Sequence, residues 1–165
     1  RKRYRRLAIG PRATIIFENW DSMWWQIQEM LRVEKGGADQ LADELAAYNP
    51  MVPNGRELTA SLFFEVADPA ARLQFLQQIG GVDRHVFLKI GDHHVPAMAE
   101  DDVDRTDESG KASAVHFLHF PLSDADVAAW RGGRVPVMVG IDHPNYGHIA
   151  VIGADVRAEL ARDFA

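Results

Sequence analysis

The chain has 165 residues, a formal net charge of −6, 47% hydrophobic residues and no cysteine. This length suffices to bury a core without disulfides or metals, so we predict a single domain over residues 1–165. The lack of cysteine excludes thiolate zinc sites, iron–sulfur ligation by this chain and cysteine nucleophiles, and it fits a cytoplasmic location. No apolar run approaches the ~20 residues that span a bilayer, and no secretory signal is visible, so we expect no membrane association.

The positive charge is concentrated in the first six residues, RKRYRR, which hold five of the 18 basic residues. The other 159 residues hold 13 basic and 24 acidic residues, a net of −11. Nucleic-acid binding is therefore not expected, because it needs a broad basic face. We interpret the basic tip over residues 1–6 as the solvated end of a truncated element, and because the chain starts with Arg1 we expect residues upstream.

Taken in chain order, the first elements are two strand segments, RRLAIG and ATIIFEN, joined through a Gly-Pro turn. The next is a helix, MWWQIQEMLRVE, in which apolar residues recur with helical spacing at Trp20, Trp24, Ile27 and Leu31. The helix has apolar residues around much of its circumference, so we expect the rest of the protein to enclose it. We expect Trp24, Ile27 and Leu31 to be buried.

The rest of the chain mixes consecutive strands with short helices. Helices are predicted in DQLADELAAY, PAARLQFLQQI, SDADVAAWRGG and ADVRAELARDF. Strands are predicted at 58–66, 85–90, 95–98, 114–120, 135–141 and 149–152. This order predicts an α+β fold in which about six strands form one mostly antiparallel sheet, packed with short helices.

The turn GIDHPNYGH, between the apolar runs VPVMV and IAVIG, is the densest group of candidate functional residues. His143 and His148 flank it, and a turn can bring two imidazoles together to bind iron or zinc. Asp142 could orient His143 from outside the coordination sphere. A third ligand would have to come from elsewhere, the candidates being Glu18, Glu29, Glu65 and His116.

The same turn also fits a purely structural interpretation. Asp and Asn favour Asx-turns, Pro fixes φ, Gly147 permits a positive φ, and His148 could simply pack on Tyr146. Under either interpretation we expect an ordered turn between the last two strands. The alternation of Val137, Val139 and Ile141 continues to His143, which predicts that His143 points inward, toward the QEMLR helix or the SAVHF strand, and that His148 is the more accessible.

Two further positions are candidates for function, each with a structural alternative. In SAVHFLHF, His116 and His119 lie on opposite faces of a strand, so they cannot chelate one metal, and a buried histidine bonded to a backbone carbonyl is the favoured interpretation of each. Glu29 lies on the tryptophan-rich helix, and Arg32 is within reach one turn later. We favour a Glu29–Arg32 ion pair over a catalytic role.

Several stretches together resemble one family of uncharacterised bacterial proteins, the domain of unknown function 3501 family. They are RLAIGPRATIIFEN, WWQIQEMLRVE, AYNPMVP, SAVHFLHF and IDHPNYGH, in this order over most of the chain. The residues that carry the resemblance are Gln26, Glu29, Arg32, His116, Asp142, His143, Tyr146 and His148. The family often has arginine where His119 stands, and it is often more acidic after Glu34.

The resemblance implies a role but no catalytic residue. Genes of this family often lie near genes for rubrerythrin-like and iron–sulfur oxidoreductases, which implies an accessory role in redox or peroxide handling with such a protein as partner. Two hypotheses follow. The first is a non-catalytic accessory or binding protein, which could bind a metal such as iron or zinc. The second is an enzyme that uses His143, His148 and Glu29 in an apolar pocket. Convergence of these three side chains in one cavity would favour the second.

Overall fold

The computed structural model describes residues 2–100 and 105–165, so Arg1 of the basic tip lies outside the described residues. Within them lie five helices, nine strands and four short 3₁₀ turns, which confirms the predicted α+β class. The helices are α1 (Trp20–Glu34), α2 (Gly37–Tyr48), α3 (Pro69–Gln78), α4 (Asp124–Gly132) and α5 (Ala154–Leu160). The strands are β1 (Arg6–Ile9), β2 (Ala13–Glu18), β3 (Glu57–Phe64), β4 (Val86–Ile90), β5 (His93–Pro96), β6 (Met98–Ala99), β7 (Val115–Pro121), β8 (Val137–His143) and β9 (Tyr146–Val151).

The strands form two sheets, and the prediction of a single sheet was wrong. Sheet A has the order β1-β2-β3-β7-β6, and sheet B has the order β5-β4-β8-β9. The strand pairs are antiparallel, as predicted. The sequence shows that each strand has an apolar face, but one sheet and two facing sheets both satisfy that pattern.

A continuous core joins the two sheets. The inward side chains of both sheets belong to one hydrophobic cluster, in which Leu62 of β3, Leu88 of β4 and Val139 of β8 are fully buried. Phe75 of α3 and Trp130 of α4 belong to the same cluster. These two helices therefore pack on the core through one apolar face each.

Helix α1 starts where Asn19 caps it, and it lies outside this core. The Asn19 side chain accepts a hydrogen bond from Ser22 N, while the Ser22 hydroxyl accepts one from Asn19 N, which satisfies two free amides of the first turn. The helix packs against α2, which has no buried residue. Met23 and Ile27 are the buried residues of α1, yet neither belongs to the main cluster.

The predicted enclosure of α1 was wrong, although its existence and its end at Glu34 were predicted correctly; it starts three residues earlier than predicted, at Trp20. Ile27 is 6% exposed as expected, but Trp24 is 42% exposed and Leu31 is only partly buried. The buried stripe runs through Met23 and Ile27, which are four residues apart. Because the helix carries apolar residues on nearly every side, periodicity could not decide which stripe faces inward.

Candidate functional site

The GIDHPNYGH segment is an ordered hairpin, as predicted. His143 pairs with Tyr146 at the end of the β8–β9 ladder, so Pro144 and Asn145 form a two-residue loop. The Asn145 side chain donates a 2.7 Å hydrogen bond to the carbonyl of Gln78, which ties the loop to the end of α3. Gly147 does not adopt a positive φ, so that part of the expectation was wrong.

His143 is 9% exposed, and both of its ring nitrogens are engaged. Nε2 lies 2.9 Å from the carbonyl oxygen of Gly80, which can only accept, so Nε2 carries the proton. Nδ1 then accepts a 3.1 Å hydrogen bond from Asn145 N. The inward orientation is confirmed, but neither partner lies in the QEMLR helix or the SAVHF strand. In this arrangement His143 has no free lone pair for a metal.

Asp142 does not orient His143. It is exposed, and its Oδ1 lies 3.2 Å from Nδ1 of His85. The ring of His85 in turn meets that of His143 edge-on, with centroids 5.1 Å apart. The expected positioning role of Asp142 was therefore wrong, because in a regular strand Asp142 and His143 point to opposite faces.

Tyr146 and His148 form the contact between the hairpin and sheet A. The Tyr146 hydroxyl donates to the carbonyl of Ile9 and accepts a 3.1 Å hydrogen bond from Arg12 N. Burial raises the pKa of this phenol. His148 is exposed and packs on the Tyr146 ring, with centroids 4.6 Å apart, as the structural interpretation of the turn expects.

His116 is a fully buried core histidine. Its Nε2 donates a 2.8 Å hydrogen bond to the carbonyl of Ser113, and its ring meets that of Phe64 edge-on. Burial lowers the pKa of His116, which favours the neutral ring. The favoured interpretation, a histidine bonded to a backbone carbonyl, is confirmed. His119 points to the opposite face, as its parity predicts. Its ring nitrogens contact the carboxylates of Glu57 and Glu100, so the expected bond to a backbone carbonyl was wrong for His119.

Glu29 and Arg32 form the predicted ion pair on the surface. Arg32 donates to Glu29 at 2.5 Å, and the two side chains are 73% and 51% exposed, respectively. The hydrogen bond from Arg32 lowers the pKa of the Glu29 carboxyl. Glu29 therefore lies at an open rim and not in the enclosed apolar pocket that the sequence suggested. Among residues 2–100 and 105–165, no group of three His, Asp or Glu side chains is arranged to hold a metal.

A cleft of about 1090 Å³ lies between α1 and the outer face of sheet A. Its floor consists of side chains that point away from the core, Ile16, Phe63, Val115 and Phe117. Trp20, Met23 and Trp25 of α1 line it from the other side. At one end lie charged side chains of the chain termini, namely Lys2, Arg5, Arg6, Glu159, Arg162 and Asp163.

Glu18 is a buried titratable group of this cleft. It is 7% exposed, its Oε2 accepts a 2.5 Å hydrogen bond from Ser22 Oγ, and Ser61 also bonds to it. Burial raises the pKa of Glu18, because these hydroxyls and the nearby charges of Arg5 and Lys2 compensate only in part for the lost water. A large cleft with apolar walls and a perturbed carboxyl is the usual appearance of a binding site.

Arg5 is fixed beside Glu18 by two other carboxylates. Its guanidinium makes bidentate hydrogen bonds of 2.9 and 2.7 Å to Asp163, and its Nε lies 3.4 Å from Glu159 Oε1. Nε itself makes no hydrogen bond to the described residues. The basic tip is thus partly built into the fold, and it is not simply a solvated end.

Glu18 was predicted only as a candidate third metal ligand, and the cleft was not predicted. The alternation in ATIIFE contained a usable signal, because Ala13, Ile15 and Phe17 share one face while Ile16 and Glu18 share the other. A carboxylate at the end of that second face, directly before a tryptophan-rich helix, marks the cleft. Glu159 and Asp163 line one end of the cleft from the far end of the chain, and no local sequence pattern predicts that they lie there.

A protein-family model matches nearly the whole of the chain. The family model described as a protein of unknown function, DUF3501, matches residues 1–164. The chain belongs to the DUF3501 family. A crystal structure of a novel protein of unknown function from Burkholderia pseudomallei K96243 is similar to this family member, with 40% sequence identity and a TM-score of 0.90. The match covers 99% of this chain and 86% of that chain.

Other comparisons add little about activity. No curated protein is significantly similar to this family member. Each helix within the described residues is too short or too polar to cross a membrane.

Proposed function

We propose that this chain is a non-catalytic binding protein that docks a partner on α1 and the cleft beside it. The observation that carries the proposal is the exposure of three neighbouring tryptophans. Trp20, Trp24 and Trp25 are 60%, 42% and 58% exposed, and their rings contact one another. Tryptophan is the residue most enriched among energetically dominant interface positions. A cluster of this size on a surface is characteristic of an interaction site.

The arrangement of the candidate catalytic residues favours binding over catalysis. An enzyme built on Glu29, His143 and His148 would need these side chains to meet around a substrate. Instead, Glu29 pairs with Arg32, and His143 bonds to backbone atoms. His148 packs on the Tyr146 ring with the two planes tilted by 55°. Glu29 and His143 are satisfied by their own neighbours, and Glu29 and His148 line different clefts, which supports an accessory role.

The partner class that we propose comes from the family resemblance. It is a rubrerythrin-like or iron–sulfur redox protein in the cytoplasm, which would give the chain a role in redox or peroxide handling. For iron or zinc to bind both His143 and His148, the His143 ring would have to break its hydrogen bonds to Gly80 and Asn145. The surface around α1 needs no such rearrangement to bind a protein.

The test is a binding titration between the purified chain and a rubrerythrin-like protein from the same organism. Trp25→Ala and Ile149→Ala form a matched pair, because these side chains are 58% and 59% exposed and lie on different elements. A hot-spot tryptophan contributes about 2 kcal/mol or more, so Trp25→Ala should weaken binding by about 30-fold or more. Ile149→Ala should leave the affinity unchanged. Equal effects of the two substitutions would contradict the docking surface, and absence of a complex would contradict the redox partner.

A further inference from the structure

We propose that His119 is a proton-controlled latch that fastens the edge strand β6 to sheet A. The protonated ring ties β6 to the neighbouring strands, and the neutral ring lets β6 separate from β7 while the two sheets persist. The latch would operate whether or not α1 docks a partner, so it is independent of the proposed function. It is supported by the contacts of His119, the shortness of β6 and the number of protons that an imidazole carries.

The His119 ring lies between two carboxylates from different elements. Its Nδ1 is 3.0 Å from Glu57 Oε2, and its Nε2 contacts Glu100 Oε1. Glu57 is the first residue of β3, whereas Glu100 directly follows β6. The side chains of His119, Glu57 and Glu100 are 20%, 14% and 24% exposed, so protons reach this cluster without unfolding of the core.

Strand β6 is short, and few other contacts hold it on β7. It consists of Met98 and Ala99, and each of them pairs with one residue of β7. The amide of Glu100 adds a hydrogen bond of 3.1 Å to the carbonyl of Phe117. Met98 is 60% exposed, so the strand buries little apolar surface. Segments of this kind open locally at a much lower free-energy cost than global unfolding.

The segment before β6 limits how far the strand can separate. Ala97 N donates a 2.9 Å hydrogen bond to the carbonyl of Val86, which lies in β4 of sheet B. This bond does not involve His119, so it should persist when the latch opens. Among the described residues, the opening is therefore confined to β6 and Glu100.

The number of protons on the ring decides which carboxylate is released. A carboxylate only accepts hydrogen bonds, so both contacts are satisfied only when both ring nitrogens carry a proton. The neutral ring has one N–H group and can hold one of the two carboxylates. Glu57 is fixed, because β3 is paired on both sides, with β2 and β7. Glu100 follows a strand that is paired on one side only, so Glu100 leaves and β6 opens with it.

The charges around His119 set the pH at which the latch opens. Burial lowers the pKa of His119, but the hydrogen bonds and charges of Glu100 and Glu57 outweigh it and raise the pKa above the ordinary value of 6.5. The cross-strand neighbours of His119, Thr59 and Met98, carry no charge. Charged groups of the neighbouring elements have partners of their own, namely Arg56–Asp124, His85–Asp142, His93–Asp126 and Arg105 over the Phe117 ring. The latch is therefore closed below about pH 6.5 and opens as the pH rises through the raised pKa.

Opening of the latch uncovers one edge of β7. The strand then presents unpaired amide and carbonyl groups on the side that β6 covers, while its other side stays paired with β3. An unpaired strand edge is a template for pairing with another strand. Deprotonation of His119 would thus expose a pairing edge that the protonated state hides.

The experiment is millisecond hydrogen exchange of the whole chain, measured by mass spectrometry at about pH 5.5 and about pH 9. Proteins are compared at the same pH, so their intrinsic exchange rates are equal. His119→Arg keeps a cation between the two carboxylates at both pH values and serves as the closed reference. At about pH 5.5 the amides of β6 and Glu100 should exchange at the same rate in the wild type and in His119→Arg. At about pH 9 they should exchange about tenfold faster in the wild type, because a charge-assisted hydrogen bond is lost, while β3 and β8 exchange equally in the two proteins.

Glu57→Gln tests the competition between the two carboxylates. The glutamine amide can donate to Nδ1 of the neutral ring, which leaves the Nε2–H group to hold Glu100. At about pH 9 the variant should therefore exchange in β6 as slowly as His119→Arg, although a carboxylate has been removed from the cluster. His148→Gln, at an exposed histidine of β9, is the control and should behave like the wild type.

Three results would overturn the inference. They are equal exchange of β6 in the wild type and His119→Arg at both pH values, faster exchange that extends equally to β3 and β8, and exchange of β6 in Glu57→Gln at about pH 9 that is as fast as in the wild type. If His119→Arg does not fold, the comparison of Glu57→Gln with the wild type still decides, because only the latch predicts slower exchange in that variant.

Discussion

The hydroxyl of Tyr146 accepts a 3.1 Å hydrogen bond from the backbone amide of Arg12. Tyr146 belongs to the β8–β9 hairpin of sheet B, whereas Arg12 lies in the turn between β1 and β2 of sheet A. The same hydroxyl donates to the carbonyl of Ile9. Through Tyr146, the GIDHPNYGH turn therefore joins the ends of the two sheets.

Tyr146→Phe should destabilise the chain. The substitution removes the hydroxyl but keeps the ring that packs on Phe64 and Phe75, so the loss comes from the two backbone groups left without this partner. Leaving buried backbone groups unsatisfied costs about 1–3 kcal/mol. Urea unfolding measures the change. Tyr48→Phe is the control, since its hydroxyl makes only a 3.4 Å contact with Gln26, and an equal loss in both variants would contradict the assignment.

Gly10→Ala should be more damaging than an ordinary glycine substitution. Gly10 has a φ of +70°, and a Cβ placed there would lie 2.5 Å from the His148 ring and 2.7 Å from the Tyr146 hydroxyl. Gly81 has a nearly equal φ of +75° and open space around its Cβ position. Gly81→Ala should therefore cost only the backbone strain, about 1–2 kcal/mol, and Gly10→Ala should cost about 1–3 kcal/mol more.

A double variant checks the cause of that difference. His148 is exposed, so His148→Ala alone should change the free energy of unfolding little. Combined with Gly10→Ala, it should recover part of the loss, because it removes the ring that the new methyl group meets. No recovery in thermal or urea unfolding would show that the His148 ring does not cause the loss, and would leave backbone strain and the contact with the Tyr146 hydroxyl as its causes.

Local sequence patterns predicted the helices and strands. They could not predict how strands far apart in the chain pair with one another. The alternation of Val137, Val139 and Ile141 placed His143 on the buried face correctly, and the parity of SAVHFLHF separated His116 from His119. The division into two sheets could not be predicted, because each strand shows only that one of its faces is buried. Pairing between β3 and β7 crosses about 50 residues, and no residue type in either strand specifies it.

The candidate site was predicted less well than the fold. Histidines in a turn suggested a metal site. Whether Nε2 of His143 is free to bind one depends on the position of the Gly80 carbonyl, which is set by the tertiary structure and not by the local sequence. The face of α1 was ambiguous because its tryptophans and methionines surround the helix. Glu18 and Asp163 lie at opposite ends of the chain, so no spacing rule could bring them together.

Ile27→Ala should distinguish the buried stripe of α1 from the exposed one. Ile27 is 6% exposed, and removing a buried aliphatic side chain costs about 2–5 kcal/mol. Trp24→Ala, at a position 42% exposed on the same helix, should cost less than Ile27→Ala despite the larger side chain. Chemical denaturation gives both values. A loss below about 1 kcal/mol for Ile27→Ala would place the buried face elsewhere.

His143→Ala should weaken the fold and leave the metal content unchanged. The variant loses the hydrogen bonds to Gly80 and Asn145, and an unsatisfied buried carbonyl costs about 1–3 kcal/mol. Elemental analysis of protein purified without a histidine tag should give the same iron and zinc content for the wild type, His143→Ala and His148→Ala. Loss of one equivalent of metal in both variants would restore the metal hypothesis.

His119 should make the stability of the chain depend on pH. Its Nδ1 lies 3.0 Å from Glu57 Oε2, and its Nε2 contacts Glu100, so both ring nitrogens donate to carboxylates. Burial by itself lowers the pKa of His119, but the hydrogen bonds and charges of Glu100 and Glu57 outweigh it and raise the pKa above its ordinary value of 6.5. The bridge is therefore complete only when the ring is protonated.

The sign of the effect follows from that raised pKa. The folded state binds the proton more tightly than the unfolded state, so the bridge contributes fully below about pH 6.5 and is lost as the pH rises through the folded pKa. His119→Arg keeps a cation between Glu57 and Glu100 at every pH, whereas His119→Gln never supplies one. Urea unfolding at about pH 5.5 and about pH 9 should show the wild type near the arginine variant at the lower pH and nearer the glutamine variant at the higher pH. Glu18 and His116 also titrate with shifted pKa values, but they do so in all three proteins and cancel in the comparison. A stability advantage of histidine over glutamine that grew with pH would contradict the bridge.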